Sequence, residues 1–282
     1  MSLRSLVAFR AAILVSILLS LPPPARAMDL DGWVEQKGHG VVALSHTAQH
    51  YDQFWVGTTE VSDPMIGKVT TTSETLWFDY GITDRVTIIA NLPYIKADSD
   101  GTAGFGQSQL QDVTVMGKYL FASVGSRVQS RFIGAVGFRT PASNYEIQGS
   151  VVDIGDGTND SLFRFVYQLR AAPFFFSQQV GYDLRGSPAP DGRPFYTEAG
   201  LTSRWVSGAV FYSRYTARGG SDIGDPRPFP SNKEESTRNG LRLYGRFTGA
   251  LGWSAMYFNT ISGRNTGDAT GVAAGIFYRF NK

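Results

Sequence analysis

The sequence predicts an all-β protein, a transmembrane antiparallel β-barrel of twelve strands with both termini periplasmic. Three observations predict it. From about Gly38 to Phe280 the chain divides into twelve short segments, most close to the roughly nine to eleven residues that a tilted strand needs to cross a bilayer. Several of these segments alternate apolar and polar residues with a period of two. Their joints run long, short, long, short to the end, which is the loop pattern of an outer-membrane barrel.

The first 27 residues stand apart from that pattern. Arg4 and Arg10 precede an apolar run from Ala11 to Leu21, and Ala25-Arg26-Ala27 supplies an A-x-A site, so residues 1–27 read as a cleaved signal peptide. The run is shorter than the roughly 20 residues of a spanning helix. Cleavage removes three arginines and no acid, so the formal charge falls from +2 to −1 and gives no reason to expect nucleic acid. Residues 28–37 are expected to form a short periplasmic segment, too few to fold as a plug domain, and residues 38–282 the barrel.

The strands are expected at 38–47, 70–81, 85–97, 109–121, 128–139 and 160–170, then at 172–183, 194–204, 207–217, 238–247, 251–261 and 269–280. Alternation is clear in six. Phe163, Phe165, Tyr167 and Leu169 oppose Arg164, Val166, Gln168 and Arg170. Val113, Val115, Tyr119 and Phe121 oppose Asp112, Thr114, Met116 and Lys118. Leu241, Leu243 and Phe247 oppose Arg242, Tyr244 and Arg246, and Val272, Ala274, Ile276, Tyr278 and Phe280 oppose Ala273, Gly275, Phe277 and Arg279. Leu76, Phe78 and Tyr80 form a similar face, as do Phe132, Val136 and Phe138. The registers of 38–47, 207–217 and 251–261 are ambiguous.

A soluble sandwich alternates too, so the joints decide. Short ones, such as Ile82-Thr83-Asp84 and Trp205-Val206, follow the even-numbered strands. Long, polar, breaker-rich ones at 48–69, 98–108, 140–159, 184–193, 218–237 and 262–268 follow the odd-numbered strands. Composition agrees: 32 Gly suit close-packed strands, while 19 Phe, 13 Tyr and 5 Trp suit aromatic girdles. With no Cys, disulfide staples and thiolate metal sites are excluded.

Several strings resemble a known family. They are Trp33-Val34-Glu35-Gln36-Lys37-Gly38-His39-Gly40, Tyr80-Gly81-Ile82-Thr83-Asp84-Arg85-Val86 followed by Leu92-Pro93-Tyr94, Gln111-Asp112-Val113-Thr114 with Gly117-Lys118-Tyr119, and Gly137-Phe138-Arg139-Thr140-Pro141. In this order they are similar to the outer-membrane β-barrel transporter family named for the MetA pathway of phenol degradation, over nearly all of the mature chain. Two departures stand out. Ala142-Ser143 replaces the Gly of a Thr-Pro-Gly turn, and Asn281-Lys282 follow the terminal aromatic Phe280. The resemblance implies an outer-membrane barrel that passes small molecules, aromatic compounds among them.

Signals for chemistry are thin. His39, His46 and His50 all fall in the first strand and its loop, and Ser45 beside His46 faces the opposite side of a strand. No G-x-S-x-G elbow occurs. Asp153, Asp156 and Asp160 with Asn159 could gather calcium, yet miss the usual spacing. No Gly-rich phosphate loop leads a strand into a helix, so no cofactor is expected.

The polar faces carry more. Alternation turns Lys118, Arg131, Arg164 and Arg242 into the lumen, with Asp79, Asp112, Asp183 and Glu198 as the acids. Arg85, Arg139, Arg170, Arg204, Arg246 and Arg279 share those faces, several of them near the periplasmic rim, where arginine anchors a barrel to the interface. Either the central guanidinium groups line a water-filled constriction and favour anions, or they pair with the acids and fill the interior. The expected function is an outer-membrane channel for passive uptake or efflux of small solutes, anionic ones or, on the resemblance, aromatic acids. Outer-membrane lipid, lipopolysaccharide and the barrel-insertion machinery are the expected partners of a protein in the outer membrane of a Gram-negative bacterium. The alternatives are a barrel enzyme acting on lipid through His46 or His50, and a closed barrel whose loops hold a partner or lipopolysaccharide through Arg227, Lys233 and Arg238.

Overall fold

The computed structural model describes residues 30–102, 106–147, 149, 151–225 and 229–281. The signal peptide, Arg227 and Lys282 lie outside the described residues. The strands are β1 (His39–Tyr51), β2 (Phe54–Val56), β3 (Thr59–Val61), β4 (Val69–Thr83), β5 (Val86–Ser99), β6 (Gly106–Leu110) and β7 (Asp112–Val124). They continue as β8 (Gln129–Pro141), β9 (Asp160–Ala171), β10 (Phe174–Leu184), β11 (Asp191–Thr202), β12 (Val206–Arg218), β13 (Glu235–Arg246), β14 (Leu251–Arg264) and β15 (Thr270–Asn281).

Twelve staves follow from these strands. The hairpin β2–β3 stands in a loop, and β6 with β7 make one stave interrupted at Gln111. The interruption faces Pro93 of β5, which has no N–H to give, and the Gln111 amide donates to the Pro93 carbonyl at 2.9 Å. Every neighbouring pair is antiparallel, and β1 is bonded to β4 on one side and to β15 on the other. The sheet therefore closes on itself and leaves no wall edge unpaired.

Each of the twelve expected strands is present, and most run a few residues further toward the long loops. Phe165 is 44% exposed and Val166, next to it on β9, is 0% exposed, which is the two-residue period of a stave with one face outside and one inside. The outside is apolar around the ring, with Leu44, Leu76, Val115, Val136, Phe163, Val210, Leu241 and Ile276 all exposed. Water does not favour such a belt at this extent, whereas bilayer hydrocarbon does.

The uncertain registers resolve with Val41, Ala209, Phe211 and Phe258 inward. Those staves are apolar on both faces, and a period of two cannot choose between two greasy sides. All five short turns and both ends of the barrel chain gather at one rim, where His39 is registered with Asn281. Long loops crown the other.

The N-terminal segment departs from expectation. Leu30 is fully buried against Ile89, Met116, Leu120, Ile133, Ala135, Leu162 and Val166, inward-facing residues of β5, β7, β8 and β9. Residues Leu30–Glu35 thus run inside the barrel as extended chain and do not hang below it as a periplasmic tail. Ten residues are too few for a domain. An extended strand needs no fold of its own, only a wall to pack against.

Candidate functional site

The candidate site is the lumen, whose contents begin with that inserted segment. Its seat is half apolar and half ionic. Leu30 and Val34 pack on the apolar wall of β5, β7, β8 and β9. Asp31 accepts from Lys118 Nζ at 3.1 Å, and the same ammonium donates to the Trp33 carbonyl. Arg131 donates to the Gly32 carbonyl at 3.1 Å, and the Glu35 amide donates to Thr87 Oγ1 at 3.1 Å. Gly32 is obligatory, since a Cβ there would sit 2.4 Å from the Gln168 side chain. The segment leaves through a 2.9 Å bond from the Gly38 amide to the Gly81 carbonyl at the rim.

At mid-depth the expected basic residues all point inward and are buried: Lys118, Arg131, Arg164 and Arg242, with Asp79, Asp183 and Glu198 beside them. They are engaged. Arg164 pairs with Asp183, Arg242 with Glu198, and Lys118 with Asp31. A buried ion stays charged where a partner replaces its water, and these pairs do so across neighbouring staves. The central arginines therefore fill the barrel, as the second of the two sequence-based arrangements has it, and do not border open space. Asp112 lies higher, near the long loops, where Tyr145 Oη donates to it at 2.6 Å.

Open space lies lower, beside the inserted segment. A cavity of about 370 Å³ opens at the short-turn end between Trp33, Glu35 and the inner faces of β9 to β15. Five guanidinium groups line it, those of Arg170, Arg204, Arg242, Arg246 and Arg279, against the carboxylates of Asp31 and Glu35. Arg170 lies over the Trp33 ring with its Cζ 4.2 Å from the centroid, and Phe175 meets Trp33 edge-on at 6.4 Å. Arg242 Cζ is 5.7 Å from the Tyr244 ring, and Arg279 Cζ is 5.6 Å from that of Phe277. Sequence reasoning had placed Arg170, Arg204, Arg246 and Arg279 as rim anchors. What it missed is Trp33, which brings a ring into the lumen and turns a rim of arginines into the wall of a pocket. The signal was present in Trp33 itself, a large aromatic five residues before the first strand.

The long-loop end is covered from within. Tyr145, Val152 and Ile154 of the loop after β8 are buried against Ala97, and Gln107 donates to the Val152 carbonyl at 3.0 Å. Tyr51 Oη of β1 reaches the Val151 carbonyl at 3.3 Å, so this loop crosses the mouth. Asp156 and Asp160 are taken by arginine: Arg185 holds both, and Arg139 also holds Asp160. Asp153 accepts from the Gly149 amide. Those three carboxylates anchor the loop and do not converge on a calcium site. Three further loops are tied together through Asn265, whose Oδ1 accepts from the Gly57 and Ile223 amides at 2.8 and 3.1 Å. Arg264 and Asn265 also bind Asp222, and they hold its carboxyl down to about 2.

The alternative sites come apart. His46 points out of the wall, half exposed, and pairs with Glu74 on β4, while Ser45 faces the other way. Arg238 turns into the barrel, its Cζ 5.4 Å from the Phe258 ring, and Lys233 pairs with Glu235 at 3.3 Å. Neither arrangement brings a nucleophile to a histidine or gathers cations on the outer loops.

A scan against protein-family models finds no match, and a search of curated proteins finds none. Solved structures do match. An outer membrane channel from Pseudomonas putida F1 superposes with a TM-score of 0.76 at 14% identity, covering 90% of this chain and all of that one. The translocator domain of the autotransporter NalP from Neisseria meningitidis gives 0.50 at 13% identity over 87% of this chain and 90% of that one. The β domain of the Bordetella autotransporter BrkA gives 0.50 at 12% identity over 86% of this chain and all of that one. At such identities the likeness is one of fold. The chain has the closed twelve-stave barrel of outer-membrane proteins, and its apolar belt sets it in the outer membrane.

Proposed function

We propose that the chain is an outer-membrane channel through which small solutes diffuse passively, with a preference for anions. One observation carries this reading: a closed wall, greasy outside, encloses a lumen of ionic side chains that leads into an arginine-lined cavity at the short-turn rim. Setting aside the Arg242–Glu198 and Lys118–Asp31 pairs, the cavity wall holds four guanidinium groups against the single carboxylate of Glu35. Such a wall attracts anions by Coulomb forces that water screens only partly in a narrow space. The P. putida structure is described as an outer membrane channel, which agrees with this reading. The short-turn rim, with both ends of the barrel chain, is taken to face the periplasm, where tight turns belong.

In this reading Leu30–Glu35 occludes the lumen, and passage requires that the segment shift. Planar-bilayer recording of the purified barrel, with and without residues 28–36, tests it. Deletion is expected to raise the conductance, and a salt gradient is expected to give an anion-selective reversal potential. Absence of conductance in both forms would end the channel reading, and cation selectivity would end its anionic version.

A further inference from the structure

We propose that the cavity beside Trp33 is a binding site for a small aromatic carboxylate, which competes there with the chain's own Glu35. The inference rests on the reading of the lumen as a solute route and names what the route holds on the way. Its basis is the pairing of two kinds of wall. Arg170 spends its flat face on the Trp33 ring, 4.2 Å away, and so keeps its edge of N–H donors for a coplanar acceptor. A carboxylate matches that fork with two parallel bonds, where a halide or an alcohol matches it with one. Phe175, Tyr244 and Phe277 line the same space. An aromatic body fits between such rings with offset or edge-on contacts, whereas a hydrated inorganic anion leaves them bare.

Size agrees with this class of ligand. A cavity of about 370 Å³ lies near the lower end of small-molecule sites, which suits one ring and its acid group better than a lipid or an oligomer. The occluding segment also places a carboxylate there already, because Glu35 lines the same cavity. An incoming acid therefore exchanges one carboxylate for another against the same guanidinium wall and does not have to neutralise a bare cluster.

The test uses the folded full-length barrel in detergent, with benzoate, benzyl alcohol and inorganic phosphate as probes and tryptophan emission with titration calorimetry as readouts. Benzoate is expected to bind saturably and to change the emission, and the change is expected to vanish in Trp33→Phe while calorimetric binding persists. Arg170→Gln is expected to weaken benzoate by about tenfold or more, the loss of one charge-assisted contact. Arg204→Gln, on an exposed turn, gives a second variant if Arg170→Gln does not fold. Saturable benzoate binding that neither variant weakens overturns the proposal. So does benzyl alcohol binding as tightly as benzoate, which would make the arginines irrelevant, or phosphate doing so, which would make the rings irrelevant. No saturable benzoate binding in a barrel that conducts overturns this inference and leaves the channel reading intact; a barrel that binds benzoate but does not conduct does the reverse.

Discussion

Replacing Asp31 by Asn tests what holds the inserted segment. Lys118 is 0% exposed, and its two partners, the Asp31 carboxylate at 3.1 Å and the Trp33 carbonyl, both belong to the segment. Taking one member from a buried pair costs about 3–5 kcal/mol, because the remaining charge keeps its desolvation penalty. Here the penalty applies only while the segment is seated, since withdrawal gives the ammonium back to water. At about 1.4 kcal/mol per tenfold, the low end of that range raises the unseated fraction by about a hundredfold. Single-channel recording reads this as the fraction of time spent in the larger conductance. A folded D31N barrel, shown by its heat-modifiable gel mobility, with the wild-type fraction of open time would refute the reasoning, because Lys118 would then not be what holds the segment down.

Three further outcomes are expected. Glu198→Leu leaves the buried Arg242 guanidinium without its carboxylate and is expected to destabilise the barrel by about 3–5 kcal/mol, while the double variant with Arg242→Met recovers most of that; urea titration of refolded barrels in liposomes measures both, and a double variant as weak as the single one would contradict the pairing. Phe165→Arg puts a cation at the middle of the lipid-facing side of β9 and is expected to cost about 2–4 kcal/mol in the same titration, where an unchanged midpoint would mean that this face does not meet hydrocarbon. The Asp222 carboxyl sits near 2, below its ordinary value of about 3.9, so its contribution to the loop tie is complete above about pH 4 and lost as the pH falls through about 2. Hydrogen exchange at the Gly57 and Ile223 amides is therefore expected to be slower than in Asp222→Asn at pH 4 and equal to it below pH 2.

Sequence and structure agree where one force dominates. Staves such as Phe163 to Arg170 are read correctly because lipid selects one face and the lumen selects the other, and the loop lengths follow from two different edges of the membrane. Agreement fails where a contact is long-range and leaves no period. Leu30, Asp31 and Trp33 meet β5, β7, β8 and β9 far along the chain, and nothing in seven or eight extended residues announces a wall to pack on. The same holds for Tyr145, Val152 and Ile154, which read as part of a polar loop and yet turn inward to close the mouth. Charge placement was legible and charge partnership was not. Alternation fixes the side on which Arg164 and Arg242 stand, whereas the stagger between staves decides that Asp183 and Glu198 stand opposite them.

The pairing of β1 with β15 has a consequence for how the wall is made. Twelve residue partners, from His39 with Asn281 to His50 with Thr270, join the first stave to the last, and Tyr80 and Phe280 stack beside them at 6.2 Å. Hairpins between successive staves form from neighbours in the chain, while this seam waits until the final strand has been synthesised, and such distant pairing is the slow kind. Until then the growing sheet has two raw margins that can recruit any other strand. Substitutions along the seam should therefore delay the last step of assembly, with the earlier hairpins already in place.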